Sequence, residues 1–183
     1  ANTIANYTQV TELGGQCMWD PVFVTPNWNP GGVYTGFDNH PVGVLFDDDG
    51  QWDIVNEDGA PMPIGASFNV YHMGAWNQNP PNYTMVQTAT SGSSYITDIN
   101  DPNLNNNPSA HLIVTPVTYA SGITGQNPIY DPHQIGIWYN TYAHEWTIYN
   151  EDRTPIPNGA KFNVMVVNPG GLFPASFTQV ATS

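Results

Sequence analysis

Three consecutive carboxylates, Asp47, Asp48 and Asp49, precede Gly50 and could act together on a ligand. Calcium takes about six to eight oxygen ligands, and an acidic turn can supply several of them. A similar segment later in the chain has Asn and Thr where the first has this acidic run, and no EF-hand spacing is present. We keep two interpretations, a Ca²⁺ site at these aspartates or a solvated turn without metal.

Two other polar patterns each occur twice. Asn-Glu-Asp stands at 56–58 and 150–152, and Asp-x-His stands at 38–40 and 131–133. Asn and Asp side chains commonly accept hydrogen bonds from backbone amides in turns, so we interpret both patterns as structural. A single imidazole without Cys or further His ligands is a poor metal site.

The residues offer little for covalent catalysis. No Gly-x-Ser-x-Gly elbow is present, and Cys17 has no His matched to it in the repeat. We expect Cys17 to be a small buried or half-buried apolar residue, with an intermolecular disulfide as the alternative. Paired carboxylates could serve a glycosidase, but small β-domains with short loops leave little room for a deep cleft. We expect no enzyme and assign no catalytic residue.

Aromatic residues are the remaining candidates for ligand binding. Trp28 and Trp76 lie in stretches rich in Asn, Gly and Pro, where an exposed ring could stack on a sugar. Trp52 and Trp146 occupy matching positions of two similar segments, and we expect them in the core. Trp28 and Trp76 therefore favour carbohydrate binding, with loop packing or a contact between subunits as the alternative.

The charge balance excludes several classes of partner. The chain has 183 residues, two basic against 15 acidic, and a formal net charge of −13. Nucleic-acid binding depends on Lys and Arg, as does attraction to an anionic membrane, so we expect neither. No apolar run is long enough to span a membrane.

The start at Ala1 without Met, together with the scarcity of lysine, favours a processed, secreted protein at the cell surface. The Asn-x-Thr sequons at Asn6 and Asn82 would then be candidate glycosylation sites.

The strongest feature of the sequence is an internal repeat. Residues 52–70 read WDIVNEDGAPMPIGASFNV and residues 146–164 read WTIYNEDRTPIPNGAKFNV, with 12 of 19 positions identical. Shorter matches lie upstream, and the offsets between matching blocks are 90, 93 and 94 residues. We therefore expect two tandem domains of about 90 residues, over 1–78 and 79–183.

Short apolar or alternating runs, bounded by Gly, Pro or Asn, predict strands in both halves. No helical periodicity extends beyond ten residues, so the prediction is an all-β fold of two duplicated sandwich-like or barrel-like domains. The predicted strands are Val22–Thr25, Val42–Phe46, Trp52–Asn56, Ser67–His72, Leu112–Thr115, Ile135–Tyr139, Glu145–Asn150 and Lys161–Val166.

The pattern His-Pro-Val-Gly-Val, then Trp-x-Ile-x-Asn-Glu-Asp, then Pro-Met-Pro-x-Gly-Ala-x-Phe-Asn-Val resembles a family of secreted bacterial repeat domains of unknown function. The resemblance covers most of both halves. It implies export, tandem β-domains and an extracellular role, and it carries over no catalytic residue. The first half departs from the family pattern between Glu12 and Trp19, where an Asn-rich segment is missing.

One strand-like segment occurs three times rather than twice: at Tyr7-Thr8-Gln9-Val10, at Tyr83–Thr88, and at Phe177-Thr178-Gln179-Val180. If each domain begins with one copy, the copy at about 177–183 is left over. A spare edge strand can pair with another chain, and donor and acceptor at opposite ends would give a head-to-tail polymer. The alternative is that the third copy closes the sheet of its own domain.

Two functions of different classes follow. The first is a structural or adhesive extracellular subunit whose partners are copies of itself, assembled by strand exchange between Tyr7–Val10 and Phe177–Val180. The second is a soluble tandem carbohydrate-binding module, with glycans as partners and Ca²⁺ as a candidate cofactor.

Overall fold

The fold is described from a computed structural model over residues 5–11, 13, 17–34, 36–72 and 83–167. The regular elements of this part of the chain are all strands except for one short helix and one 3-10 turn, which confirms the all-β prediction. The elements are β1 (Tyr7–Gln9), β2 (Val22–Pro26), the 3-10 turn (Pro30–Gly32), β3 (Val42–Phe46), β4 (Trp52–Asn56), β5 (Phe68–His72), β6 (Tyr83–Thr88), β7 (Ile96–Ile99), β8 (His111–Tyr119), α1 (Ser121–Thr124), β9 (Ile135–Asn140), β10 (Glu145–Asn150) and β11 (Lys161–Val167).

The strands form three sheets. The largest has the order β1-β4-β3-β8-β11-β6, and the two smaller ones are β7-β10-β9 and β2-β5. All pairs are antiparallel except β3 and β8, which run parallel over Val44–Phe46 and Val117–Tyr119. This parallel pair joins strands from the two halves of the chain into one continuous sheet.

The hairpin β3–β4 has a counterpart in β9–β10. Val44 lies opposite Ile54, and the corresponding residue Ile137 lies opposite Ile148. The turn of the first hairpin contains Gly50 at φ 80°, a conformation that Gly adopts without a Cβ clash. The repeated sequence therefore adopts the same strand pairing in both places.

The pair β2–β5 likewise has its counterpart in β8–β11. Val24 lies opposite Val70, and the matching residues Val114 and Val164 also lie opposite each other. The chain thus contains the same four-strand set twice, with an unchanged register.

Each set surrounds its own apolar core. The first core lies between β2–β5 and β3–β4 and is centred on Trp52, which is fully buried and packs edge-on against Phe46 at 5.1 Å between ring centroids. The second core combines β6, β8 and β11 with β7 and β10, and Trp146 packs against its rim. The expected core position is confirmed for Trp52, whereas Trp146 is only partly buried and packs against the second core.

The predicted boundary between residues 78 and 79 falls outside the described residues. Because the six-stranded sheet contains strands from both halves, the division into two domains stays a prediction. No helix within the described ranges has the length and apolar character needed to cross a membrane.

Candidate functional site

The duplicated polar turns have matching hydrogen bonds in the two halves. The His40 ring nitrogen Nδ1 is 2.7 Å from Asp58 Oδ2, and His133 Nδ1 is 2.8 Å from Asp152 Oδ2. Asp58 also accepts a hydrogen bond from the backbone N–H of Ala60 at 3.0 Å. Both patterns therefore tie loops together, as expected, although each ring pairs with the Asp of the following turn and not with the Asp two residues before it.

The acidic turn at Asp47–Asp49 is held by its own hydrogen bonds. The Asp49 N–H donates to Asp47 Oδ1, and Gln9 donates to Asp49 Oδ2 at 3.4 Å. Burial, followed by the charges of Asp47 and Asp49, raises the pKa of nearby Asp53 to about 7. Within the described ranges, no group of three or more His, Cys, Asp or Glu side chains could hold a metal ion.

A buried carboxyl group connects the two halves. Glu57 is 4% exposed, and its Oε2 accepts a hydrogen bond from the Asp131 N–H at 2.9 Å. Gly43 makes room for it, because a Cβ there would overlap Glu57 Oε1 and lie 2.9 Å from the Pro116 carbonyl oxygen. Burial raises the pKa of Glu57 to about 8, while the hydrogen bond from Asp131 opposes this shift.

The segments Tyr7–Val10 and Tyr83–Thr88 do not occupy equivalent positions, so that part of the sequence interpretation is wrong. β1 pairs with β4 through Thr8 and Ile54, as β7 pairs with β10 through Thr97 and Ile148. The counterpart of β1 is therefore β7. β6 instead covers the edge of β11, where Val86 lies opposite Asn163.

The edge of β5 that corresponds to this covered edge of β11 carries no strand within the described part of the chain. Val164 of β11 is fully buried, whereas its counterpart Val70 on β5 is 38% exposed. Tyr71 is 43% exposed, whereas its counterpart Met165 is 6% exposed. An uncovered strand of this kind presents unpaired backbone groups and apolar side chains to a partner.

This β5 edge is the candidate functional site, and sequence reasoning missed it as an acceptor. The signal was present in the spacing, because Tyr83 and Phe177 are separated by the same 94 residues as Trp52 and Trp146. The third copy of the strand therefore matches β6, the strand that covers β11.

The other sequence candidates are placed as follows. Trp28 is exposed and lies 5.3 Å from the ring of Tyr34, and Asn6 is partly buried, with its Nδ2 donating to the Asn56 carbonyl oxygen at 3.4 Å. Cys17 is exposed, which corrects the expectation that it would be buried. The candidates that lie outside the described residues are Trp76, Asn82, Phe177, Thr178, Gln179 and Val180.

Two open grooves are lined by no residue of β5. One, of about 450 Å³, is lined by Trp19, Met85 and neighbouring residues of β6. The other, of about 330 Å³, lies along β9 beside Trp138 and Glu151. Neither is lined by Trp28, one of the two tryptophans that the sequence favoured for ligand binding.

A family model described as a domain of unknown function, DUF7452, matches the chain twice, over residues 18–72 and 52–166. The two matches overlap in 52–72 and together span well over half of the sequence. No curated protein and no solved structure matches the chain.

Proposed function

Since the chain belongs to the DUF7452 family, to which no function is assigned, we propose from its own geometry that it is an extracellular structural or adhesive subunit. In this proposal copies assemble head to tail, and each copy donates the strand-like segment 177–182 to the β5 edge of the next. The observation that carries it is the contrast between β11, covered by β6, and β5, whose equivalent edge is open within the described residues.

The donor is proposed from the match between Phe177–Thr182 and Tyr83–Thr88. Every residue of the first segment lies 94 positions after its counterpart in the second, with Thr, Val and Thr identical at the second, fourth and sixth positions. The stretch between β5 and Tyr83 has ten residues, and the stretch between β11 and Phe177 has nine. The segment Phe177–Thr182 is thus suited to cover a strand edge as β6 covers β11, but on the β5 edge of another copy.

The register of the donated strand follows from the pairing of β6 with β11. Tyr83 lies opposite Val166, and Thr88 lies opposite Lys161. If the donated strand keeps this register on β5, Phe177 would lie opposite His72 and Thr182 opposite Ser67. Tyr83 is buried in the second core, so Phe177 would fill the corresponding place in the first core.

The direction of donation supports a second copy as the acceptor. Within the chain, the strand that follows β5 leaves its own set and covers β11 of the next set. A segment of the same spacing after β11 would continue forward in the same way, onto β5 of the following copy. Such contacts are heterologous and do not close on themselves, so they give a filament.

The test compares the full chain with a chain that ends at residue 176, using sedimentation and negative-stain imaging. We expect filaments only from the full chain. Phe177→Lys should prevent assembly, because its counterpart Tyr83 is buried, whereas Val180→Lys should permit it, because its counterpart Val86 is 45% exposed. A monodisperse full-length monomer at high concentration would overturn the proposal.

A second candidate function, carbohydrate binding, is favoured by one observation. Trp28 and Tyr34 are both exposed and their rings lie 5.3 Å apart, which leaves aromatic faces available for a sugar. A glycan array probed with the wild type and with Trp28→Ala tests it. Binding that is lost in the variant supports this function, and an absence of binding by the wild type removes it.

A further inference from the structure

The junction between the two halves has a second part besides strand β6. Residues 117–119 of β8 pair with β3, and the Ala120 N–H donates to the Phe46 carbonyl oxygen at 2.9 Å. Tyr119 and Trp52 have ring centroids 6.2 Å apart, and Ile123 packs against the first core. The segment 117–131 therefore covers the β3 side of the first strand set.

The buried Glu57 belongs to this same junction, because its hydrogen-bond donor, Asp131, ends the covering segment. The segment thus begins with strand pairing at β3 and finishes with a backbone hydrogen bond to a buried carboxyl group.

The counterpart of the covered surface lies on β9 and is open. β9 is an edge strand within the described part of the chain, and Trp138, next to the counterpart of Val44, is 46% exposed. We call this the β9 surface; it is the groove of about 330 Å³ lined by Tyr95, Ile96, Ile137, Trp138, Tyr149, Glu151 and Arg153. Glu151 is the counterpart of Glu57, and it is exposed.

The counterpart of the covering segment is the stretch 27–38, three residues shorter, which we call the 27–38 loop. Four of its apolar side chains are exposed. Tyr34 is 73% exposed and Phe37 is 68% exposed, and Trp28 and Val33 are exposed as well. Contiguous exposed apolar groups on a folded chain commonly mark an interaction surface.

We infer that the 27–38 loop of one copy covers the β9 surface of the preceding copy, as residues 117–131 cover β3 within the chain. Glu151 then accepts a hydrogen bond from the Asp38 N–H of the next copy, as Glu57 accepts one from Asp131. Arg153, one of two basic side chains in a protein of net charge −13, supplies a positive charge where two acidic copies meet. This inference rests on the proposed head-to-tail assembly and adds a second contact to it.

The test is hydroxyl-radical footprinting of the full chain, read out by mass spectrometry on dilute and sedimented fractions. In the sedimented fraction we expect oxidation of Trp138, Tyr34 and Phe37 to fall several-fold. Trp19 lies in the other groove and should react equally in both fractions.

Oxidation of Tyr71, which lies on β5, distinguishes the second contact at the β9 surface from strand donation at β5. Protection of Tyr71 without protection of Trp138 and Tyr34 would overturn the second contact and leave strand donation intact. Protection of Trp138 and Tyr34 without Tyr71 would support the second contact and overturn donation at β5. The same oxidation in both fractions, or no sedimented fraction, would overturn both.

A pair of variants gives an independent measurement. Trp138→Glu places a carboxylate in the centre of the β9 surface, and we expect the concentration needed for assembly to rise at least tenfold. Trp19→Glu adds the same charge at another exposed tryptophan and should leave that concentration unchanged. Equal concentrations for Trp138→Glu and the wild type would contradict the inference.

Discussion

The Asp131 backbone N–H donates to the Glu57 carboxyl oxygen Oε2 at 2.9 Å, across 74 residues of sequence, in a buried environment. Gly43 lies over the other carboxyl oxygen, Oε1, which has no hydrogen-bond partner within the described ranges. A polar contact therefore joins the two halves of the chain. It requires a residue without a Cβ at position 43, and it involves a carboxyl group whose ionisation is costly because it is buried.

The first prediction concerns pH. Burial raises the pKa of Glu57 from 4.5 to about 8, so between these values the folded state keeps a proton that the unfolded state releases. The free energy of unfolding should therefore fall as pH rises from about 5 to 8, by at most about 1.4 kcal/mol per pH unit for this group. Asp53, whose pKa burial raises to about 7, adds to the same trend.

Urea unfolding of the chain ending at 176, between pH 5 and 8.5, checks this prediction without assembly. Glu57→Gln should flatten the pH dependence and be the more stable protein at pH 8. Glu151→Gln is the matched control, because Glu151 is exposed in the single chain, and it should keep the wild-type slope. If Glu57→Gln also keeps that slope, Glu57 does not hold its proton in the folded state.

The second prediction concerns Gly43. A methyl group there would overlap Glu57 Oε1 and press on the Pro116 carbonyl oxygen, which is backbone and cannot turn away. Gly43→Ala should cost about 3 kcal/mol of unfolding free energy. Gly92→Ala, where the nearest atoms are at 3.4 Å, should change little by the same measurement. Similar effects of the two substitutions would show that the junction is loosely packed at position 43.

The third prediction concerns the turn after β10. Arg153 has φ 63°, in the left-handed region, while Gly59 occupies the matching position after β4 with φ 73°. For a residue other than glycine, this conformation lowers the free energy of unfolding by roughly 1 kcal/mol. Arg153→Gly should raise the unfolding free energy by somewhat less than that, measured by denaturant titration of the chain ending at 176. The reciprocal Gly59→Arg should lower it, and an increase there would argue against strain at these turns.

The fourth prediction concerns salt. Copies with a net charge of −13 repel one another. Added salt weakens this repulsion, because at 0.1 M ionic strength charges separated by more than about 10 Å are largely screened from each other. The protein concentration at which filaments begin to form should therefore fall as the NaCl concentration is raised. Light scattering measures this concentration. Assembly that weakens with salt would mean that ion pairs, not apolar contacts, hold the copies together.

Most strands could be predicted from the sequence, because the residues that form and end a strand are close together in the chain. Val42–Phe46 and Glu145–Asn150 have the predicted bounds, since turn residues delimit each run. Strand β7 was missed because its four residues lie between Ser-rich and Asn-rich stretches and give no visible alternation. The short likeness of Tyr7–Gln9 to Tyr83–Met85 then led β1 to be matched with β6, although its pairing matches β7.

The candidate site could not be predicted from the sequence, because it is formed by pairing between distant parts of the chain. Composition and periodicity give no information about such pairing. The parallel contact of Val44 with Val117 joins residues 73 positions apart, and the partner of Glu57 lies in the other half of the chain. The open edge of β5 became visible only when its exposed Val70 could be set beside the buried Val164.

A disulfide formed between different molecules tests strand donation most directly. In a Cys17→Ser background, one preparation carries Ser67→Cys and a second carries Thr182→Cys, and the two are mixed under mild oxidation. The geometry is checked within one chain by Thr88→Cys with Lys161→Cys, which lie opposite each other in β6 and β11. We predict a cross-linked heterodimer from the mixture, and none when Tyr71→Cys replaces Ser67→Cys. A mixture that yields no heterodimer, while the in-chain pair cross-links, would contradict the account.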